Sequence, residues 1–357
     1  MRREETMRQI LSQSTLDQLV HRAVEKKYIY GAVFYVSSAD KSVDLISASG
    51  NMHEDSPYFI ASINKLFISS IILKLATTKT LNLNDKISKY LSDEILQGLH
   101  VYRGKEYSYT LSIAHLMSQT SGLPCYLIDK QSDGKKFMEE IEAGIDQQWP
   151  INKVIKKVKG MKPHFPPGEK NRAKYTDTNH QILGLIIENI TGEPIRIVLK
   201  TLFRELGLSQ TKVYEEGISE KFIPIRYKSK IMHIPMFLNS TQNDIISTAR
   251  DQMAFLKAFF DGYFYPKEHL YELEKWNKIF FPFYYGVGIE KFSLPRIFSP
   301  FHPVSVMIGH CGSTGAVAFY IPKEQLYITG TINQQAKPNV AFQTMIGIIQ
   351  ATKKAVL

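Results

Sequence analysis

Residues 61–70 read ASINKLFISS, and Ser62 and Lys65 stand three positions apart at the start of an apolar run that continues as FISSIILKLA. The pattern Ser-x-x-Lys starts at four places in this chain, Ser38, Ser62, Ser132 and Ser209, so the spacing alone decides nothing. Context separates them. Ser38-Ala-Asp-Lys41 lies between two strand-like runs and reads as a turn. Ser132-Asp-Gly-Lys135 is polar and contains Gly, and reads as a loop. Ser209-Gln-Thr-Lys212 follows Gly207 at the end of a helical pattern. Only Ser62 opens a long apolar segment, which reads as a buried helix. Residues three apart share one face of a helix. A lysine at the start of a buried helix is costly unless it is paired or neutral. The pair is therefore a candidate nucleophile and activator. The alternative is a capping serine beside a lysine that snorkels to solvent.

Working outward, the 357 residues suffice for one large domain or two ordinary ones. A chain that is 44% hydrophobic and 22% charged can bury a substantial core. There is no run of 18 apolar residues, so no transmembrane helix is expected. The opening MRREETMRQILSQSTLDQLVHRAVEKK has no apolar h-region, which points to a cytoplasmic protein, or to an extracytoplasmic one whose leader has been trimmed. Its apolar residues at 16, 19, 20, 23 and 24 fit an amphipathic helix. Two cysteines, Cys125 and Cys311, cannot build a disulfide framework, and no Cys/His spacing matches a zinc site, so no metal is expected. The net charge of +10 raises the possibility of a polyanionic partner. Yet no basic run exceeds a few residues and no Arg/aromatic alternation suggests a nucleic-acid platform, so dispersed surface lysines are the simpler reading.

The order of elements carries the fold class. A helix at about 6–27 precedes strand-like runs at 30–36 and 42–48, and the Ser62 helix follows. From about 80 to 215 the pattern is mostly helical, with loops at 99–110 and 160–175 and helices at 112–118, 136–145, 178–191 and 194–206. A further helix follows STARD (247–251) and runs to about 261. Strands return at 284–289, 304–309, 315–321 and 325–331, before a last helix at about 339–354. Strands at both ends imply one antiparallel sheet built from the N- and C-terminal segments and flanked by helices, an α+β architecture with an all-helical lobe inserted. The expected organisation is a single catalytic domain over 1–357, with an α/β lobe at about 1–80 and 225–357 and a helical lobe at about 81–224. A cleft between such lobes is a natural ligand site.

A nucleophile needs a base and an oxyanion hole. Tyr175-Thr176-Asp177 follows a Pro-Pro-Gly turn and precedes the helix TNHQILGLIIENITG. A tyrosine there can act as base if a nearby cation lowers its pKa. Otherwise it is a packing aromatic, with Asp177 as N-cap. The Gly309-His310-Cys311-Gly312-Ser313-Thr314-Gly315 stretch joins two strands in a Gly-rich turn. Gly312 there allows close backbone approach, and His310 can bind a carboxylate or move protons. The alternative is a tight hairpin with an incidental histidine.

Taken in order, these segments resemble the serine β-lactamase and penicillin-binding-protein-like hydrolases, specifically the group of class C β-lactamases, D-alanyl-D-alanine carboxypeptidases and esterases. The resemblance runs through FIASINKLF, IAHLMSQTSGLP, FPPGEKNRAKYTDTNHQILGLIIENITG, DIISTARDQMAFLKAFFDG, YYGVGI and GHCGSTGAVAFYIP, from about residue 30 to 350 with nothing out of order. It implies a β-lactamase/transpeptidase-like fold and acyl transfer through a covalent ester, without metal or organic cofactor. Ser62 is then the acylated nucleophile, Lys65 assists proton removal and Tyr175 shuttles protons. Asp177, His310, Gly312 and Ser313 line the substrate site, and the N–H groups of Ser62 and Ser313 form the oxyanion hole. The implied partner is a small-molecule or short-peptide substrate.

Four departures stand out. Asp177 stands where the family usually has Asn, and an ionised Asp accepts hydrogen bonds but donates none. It is expected to weaken binding of acylamide side chains, to hold Lys65 charged, and to make Tyr175 more important as the base. His310 occupies the place of a Lys common in relatives, and Gln119 replaces a His often seen before Thr-Ser-Gly, a change expected to be harmless. The gap from Gly168 to Tyr175 also looks slightly longer than usual, which reshapes the cleft rim. The leading reading is a serine hydrolase acting on an ester, amide or D-amino-acid peptide bond. The alternatives are a catalytically weak penicillin-binding-like ligand-binding protein and a basic surface-binding protein.

Overall fold

A computed structural model describes residues 11–131, 134–215, 222–241, 244–298 and 303–353. Its centre is an eight-stranded antiparallel sheet. In spatial order the strands are Asn277–Phe280, Phe283–Tyr285, Glu290–Phe292, Met307–Cys311, Ala316–Ile321, Leu326–Thr331, Gly31–Ser38 and Asp44–Gly50. The sheet joins both ends of the chain, as Val33 pairs with Thr331 and Ser38 with Leu326.

Both faces of this sheet are covered, so its strands read as continuous apolar runs although the pleat still alternates. Phe34, Val36, Val317, Phe319, Leu326 and Ile328 point to one side, into a core shared with the helices Gln13–Val24 and Asn339–Lys353. Val33, Ala316, Ala318 and Tyr327 point to the other, into the larger core. That core contains the helix Asn64–Thr77, whose residues Asn64 through Leu73 are all buried. A helix apolar on every side is stable only when surrounded. Phe67 anchors it, stacked on Phe255 of the helix Ala249–Phe260 at 3.7 Å and set edge-on to Phe203 of the helix Ile195–Glu205 at 5.6 Å.

Several expected boundaries move. The N-terminal helix starts at Gln13, where the Ser12 hydroxyl accepts from the Thr15 N–H, and the expected positions 6–10 lie outside the described residues. So does position 354 of the last helix, and so does Ser132 of the loop-like Ser-x-x-Lys. The run 284–289 is not one strand. Gly286 N–H bonds to the Ile289 carbonyl and closes a turn between two strands. Gly288 (φ +77°) brings that turn onto the Ser62 helix, where an added Cβ would lie 2.8 Å from Ser69 Oγ. Among the pairings that were not foreseen are the strand Asn277–Phe280 at the sheet edge, and a small sheet of Tyr58–Phe59, Ile245–Ser247 and Lys212–Val213. The second ties down the chain just before Ser62, reinforced by Ile60 N–H to the Ile245 carbonyl at 3.1 Å.

No helix among the described residues is long and apolar enough to cross a membrane. Phe67→Ala is expected to lower the unfolding free energy by about 3–5 kcal/mol, the cost of deleting a buried phenyl ring. Denaturant unfolding checks this, and a loss below about 1 kcal/mol would contradict the central role given to this helix.

Candidate active site

The backbone turns sharply into Ser62. Ala61 takes the left-handed conformation at φ +48°, which a non-glycine residue adopts only at a cost, and a 3-10 turn at Ala61–Ile63 leads into the helix Asn64–Thr77. This aims the Ser62 side chain off the helix start and into a cleft. One helical turn on, the Lys65 ammonium donates to Ser62 Oγ at 3.0 Å. The same ammonium lies 2.5 Å from Asp177 Oδ1, with side-chain exposures of 4% and 14%. The two alternatives left by the sequence are thereby separated: Lys65 does not snorkel to solvent but is paired inside the protein.

Asp177 begins the helix Asp177–Thr191, whose N-cap is Thr176 rather than Asp177, because the Thr176 hydroxyl accepts from the Thr178 N–H. The second carboxylate oxygen of Asp177 faces the Cys125 thiol at 3.4 Å. Burial, followed by the charge of Asp177, pushes that thiol up to about 12, so Cys125 is a neutral neighbour and not a nucleophile.

Tyr175 sits on the loop before this helix and lines the larger cavity together with Ser62. Lys65 lies 5.4 Å from its ring centroid. The sequence suggested that a cation would lower the Tyr175 pKa, and the structure corrects this. Burial first, and the charge of Asp177 second, hold it well above the usual phenol range. Tyr175 is a phenol at neutral pH, because burial first and the nearby carboxylate second disfavour its anion.

The Gly-rich turn closes the site from the sheet side. Gly312 is required there by protein backbone: an added Cβ would lie 2.5 Å from the Ile60 carbonyl oxygen. The Thr314 hydroxyl donates to the Phe59 carbonyl at 3.1 Å. Together they press the turn against the segment before Ser62, so that Ser62 and Ser313 line the same cavities. His310 lines the larger cavity but is only 1% exposed. Its Nδ1 is 2.8 Å from the Cys311 carbonyl, which requires Nδ1–H, and leaves Nε2 to accept from the Tyr285 hydroxyl at 3.2 Å. Burial drives its pKa down to about 3. The expected capture of a carboxylate by a charged His310 is therefore not available near neutral pH.

Two further residues complete the site. Gln119, expected to be a harmless replacement, accepts through its side-chain oxygen from Thr176 N–H and Asn179 Nδ2, both at 2.9 Å, and its carbonyl accepts from Lys174 N–H. It therefore fixes the Tyr175 loop from both sides. Its backbone is left-handed, at φ +59°, which composition does not reveal. Glu290 is buried on the strand Glu290–Phe292 and accepts from the Cys311 N–H at 3.1 Å. Burial raises it to about 7, so Glu290 and His310, 3.6 Å apart, are neighbours of low charge rather than an ion pair. A lone acid in an apolar strand was the available signal.

Comparison with known proteins places the family and the fold. The family model described as Beta-lactamase matches residues 16–346. Protein flp of Staphylococcus aureus (strain COL) is 29% identical over 226 residues, which cover 61% of this chain and 41% of that protein, so the match spans less than half of that relative's length. Among solved structures, the D-amino acid amidase from Ochrobactrum anthropi SV3 complexed with D-phenylalanine superposes with a TM-score of 0.78 at 18% identity, covering 96% of this chain and 99% of that one. EstCE1, a hydrolase with promiscuous acyltransferase activity, superposes with a TM-score of 0.75 at 16% identity, covering 95% and 98%. At these identities the structural likeness carries the fold, while the family model covers most of the sequence. The chain belongs to the Beta-lactamase family.

Proposed function

We propose that this protein is a serine hydrolase that cleaves an ester, amide or D-amino-acid peptide bond through an acyl-enzyme on Ser62. The observation that carries this reading is the contact of a buried Lys65 ammonium with Ser62 Oγ at 3.0 Å, beside a cavity that Ser62 and Tyr175 both line. A cation donating to a serine oxygen favours the developing alkoxide. Because Asp177 pairs with Lys65, the lysine acts here by charge rather than as a neutral base. Tyr175 then relays the proton. As Ser62 Oγ bonds to the acyl carbon, its proton passes to the Tyr175 oxygen while the Tyr175 hydroxyl proton passes to the leaving group. The relay runs in reverse with water in deacylation. The N–H groups of Ser62 and Ser313 are the proposed oxyanion donors. The names of the amidase and of EstCE1 fit this range of bonds, and a penicillin-binding-like protein without turnover is the second reading, favoured by the Lys65–Asp177 pair.

Ser62→Ala is expected to abolish covalent labelling by p-nitrophenyl acetate and by a fluorescent penicillin, read by intact mass, and to reduce ester turnover at least a thousandfold. A Ser62 adduct that never turns over would favour the second reading, and Ser62-independent turnover would overturn the nucleophile assignment. Asp177→Asn is expected to raise acylation by an acylamido penicillin at least tenfold while changing p-nitrophenyl acetate turnover less, since only the amide side chain gains a donor. Equal changes with both reagents would remove that role.

The buried Glu290 also gives the protein a pH signature. Its carboxyl keeps its proton up to about pH 7 in the folded chain, against 4.5 for an exposed one. The folded state therefore binds more protons between these values, and Glu290's contribution to stability is full below about pH 4.5 and lost as pH rises through 7. Glu290→Gln is expected to reduce the fall in unfolding free energy between pH 5 and 8 by roughly 2–3 kcal/mol. Parallel pH–stability curves for variant and wild type would refute this.

A further inference from the structure

Ser62 and Ser313 stand between two cavities of different size and chemistry. One, of 80 Å³, is lined by Lys65, Asp177, His180 and Asp244 together with apolar side chains such as Leu127, Ile141, Ile234 and Phe237. The other, of 570 Å³, is walled by Phe280, Pro282, Phe283, Phe292, Phe342 and Ile346. Its aromatic wall is continuous: the Phe283, Phe292 and Phe342 rings lie 4.9–5.4 Å apart, and Ile346 follows Phe342 by one helical turn. Phe281, between two of the lining residues, is 48% exposed, and its ring lies 5.3 Å from that of the 64% exposed Phe298, so apolar surface extends beyond the cavity.

The proton relay decides which part of the substrate goes where. Tyr175 lines the large cavity and not the small one, whereas Lys65 and Asp177 line the small cavity and not the large one. The group that receives the Tyr175 proton must therefore lie in the large cavity. None of the described residues lining that cavity is Lys or Arg, and its titratable groups are Tyr175, Glu290, His310 and Cys311. A leaving group bearing a carboxylate meets an acid there and no cation.

We infer that the substrate combines a short acyl group, held in the 80 Å³ cavity, with a bulky, uncharged, apolar alcohol or amine as leaving group, held against the Phe283–Phe292–Phe342 wall. This rests on the acyl-enzyme reading above. In the step itself Ser62 Oγ bonds to the acyl carbon, the bond from that carbon to the alcohol oxygen or amine nitrogen breaks, and the released alcohol or amine leaves with the Tyr175 proton, replaced on Tyr175 by that of Ser62. Water then releases the short acid. A terminal D-amino acid, with its free carboxylate, is a poor leaving group for this site.

Two ester series test the assignment. For acetates of ethanol to 1-octanol, followed by acid release, kcat/KM is expected to rise about fourfold per methylene, the factor equivalent to ~0.8 kcal/mol per buried CH₂. For ethyl esters of acetic to octanoic acid it is expected to fall. Ile346→Trp, which fills the large cavity, is expected to lower the octyl-to-ethyl acetate ratio at least tenfold, and Phe283→Ala, which enlarges it, to move the optimum to longer alcohols. Ser62-dependent turnover with the two trends reversed or flat overturns the inference and leaves the hydrolase standing. So does faster release of D-alanine from an N-acyl-D-alanyl-D-alanine peptide than of acetate from octyl acetate. If no ester turns over through Ser62, the hydrolase reading fails, and the cavity is judged by displacement of the neutral fluorophore N-phenyl-1-naphthylamine. Stronger displacement by 1-octanol than by 1-butanol, lost in Ile346→Trp, supports an apolar-ligand cavity. Equal displacement by both overturns it.

Discussion

A lysine ammonium with only 4% of its side chain exposed sits at the head of a helix that is apolar on every side, and the carboxylate of Asp177 lies 2.5 Å away. Taking either ion out of water alone costs several kcal/mol, so each is tolerable only because the other is present. That constraint organises the cleft. It ties the start of the Ser62 helix to the start of the helix Asp177–Thr191, two elements more than a hundred residues apart. It holds the ammonium on the Ser62 oxygen, and it places a negative charge where it keeps Tyr175 protonated.

The rest of the structure brings the third wall to this pair. Antiparallel pairing of the last strands with the first carries the Gly-rich turn, which joins two central strands, over Ser62. Gly312 lets it approach because no side-chain carbon intervenes, and the Thr314 hydroxyl fastens it to Phe59. The strained backbone of Ala61 and the small sheet under Tyr58–Phe59 hold the other side. Backbone strain of this kind persists only where the surroundings over-determine it, and here strand pairing on one side and a buried helix on the other do so.

Charge is distributed unevenly around the serine. The small cavity carries the Lys65–Asp177 pair, whereas the large one is aromatic and its histidine is neutral. In a water-poor site the same few groups decide both which proton moves and which substrate atoms are tolerated. The Lys65–Asp177 pair and the neutral His310 thus act in one direction: they leave little free positive charge in the neighbourhood of Ser62.

Much of this was legible in the chain. Ser62 and Lys65 at a buried helix, the strands at both ends and the helical middle follow from local periodicity and spacing, because helix and strand periods are properties of neighbouring residues, whereas the part of Tyr175 and the Gly-rich turn is implied by the family resemblance. The run 284–289 misled because its glycines serve a turn against the Ser62 helix, and a run of apolar residues looks the same whether it continues or folds back. The role of Gln119 and the presence of Glu290 escape the sequence for a related reason: their importance lies in partners that are distant in sequence, Thr176 and Asn179 for one and Cys311 for the other. The sequence by itself determined which elements form and which side chains carry reactive groups. Only the tertiary structure decided their protonation and partners, because desolvation, ion pairing and the shape of two cavities arise from contacts between segments that local sequence does not encode.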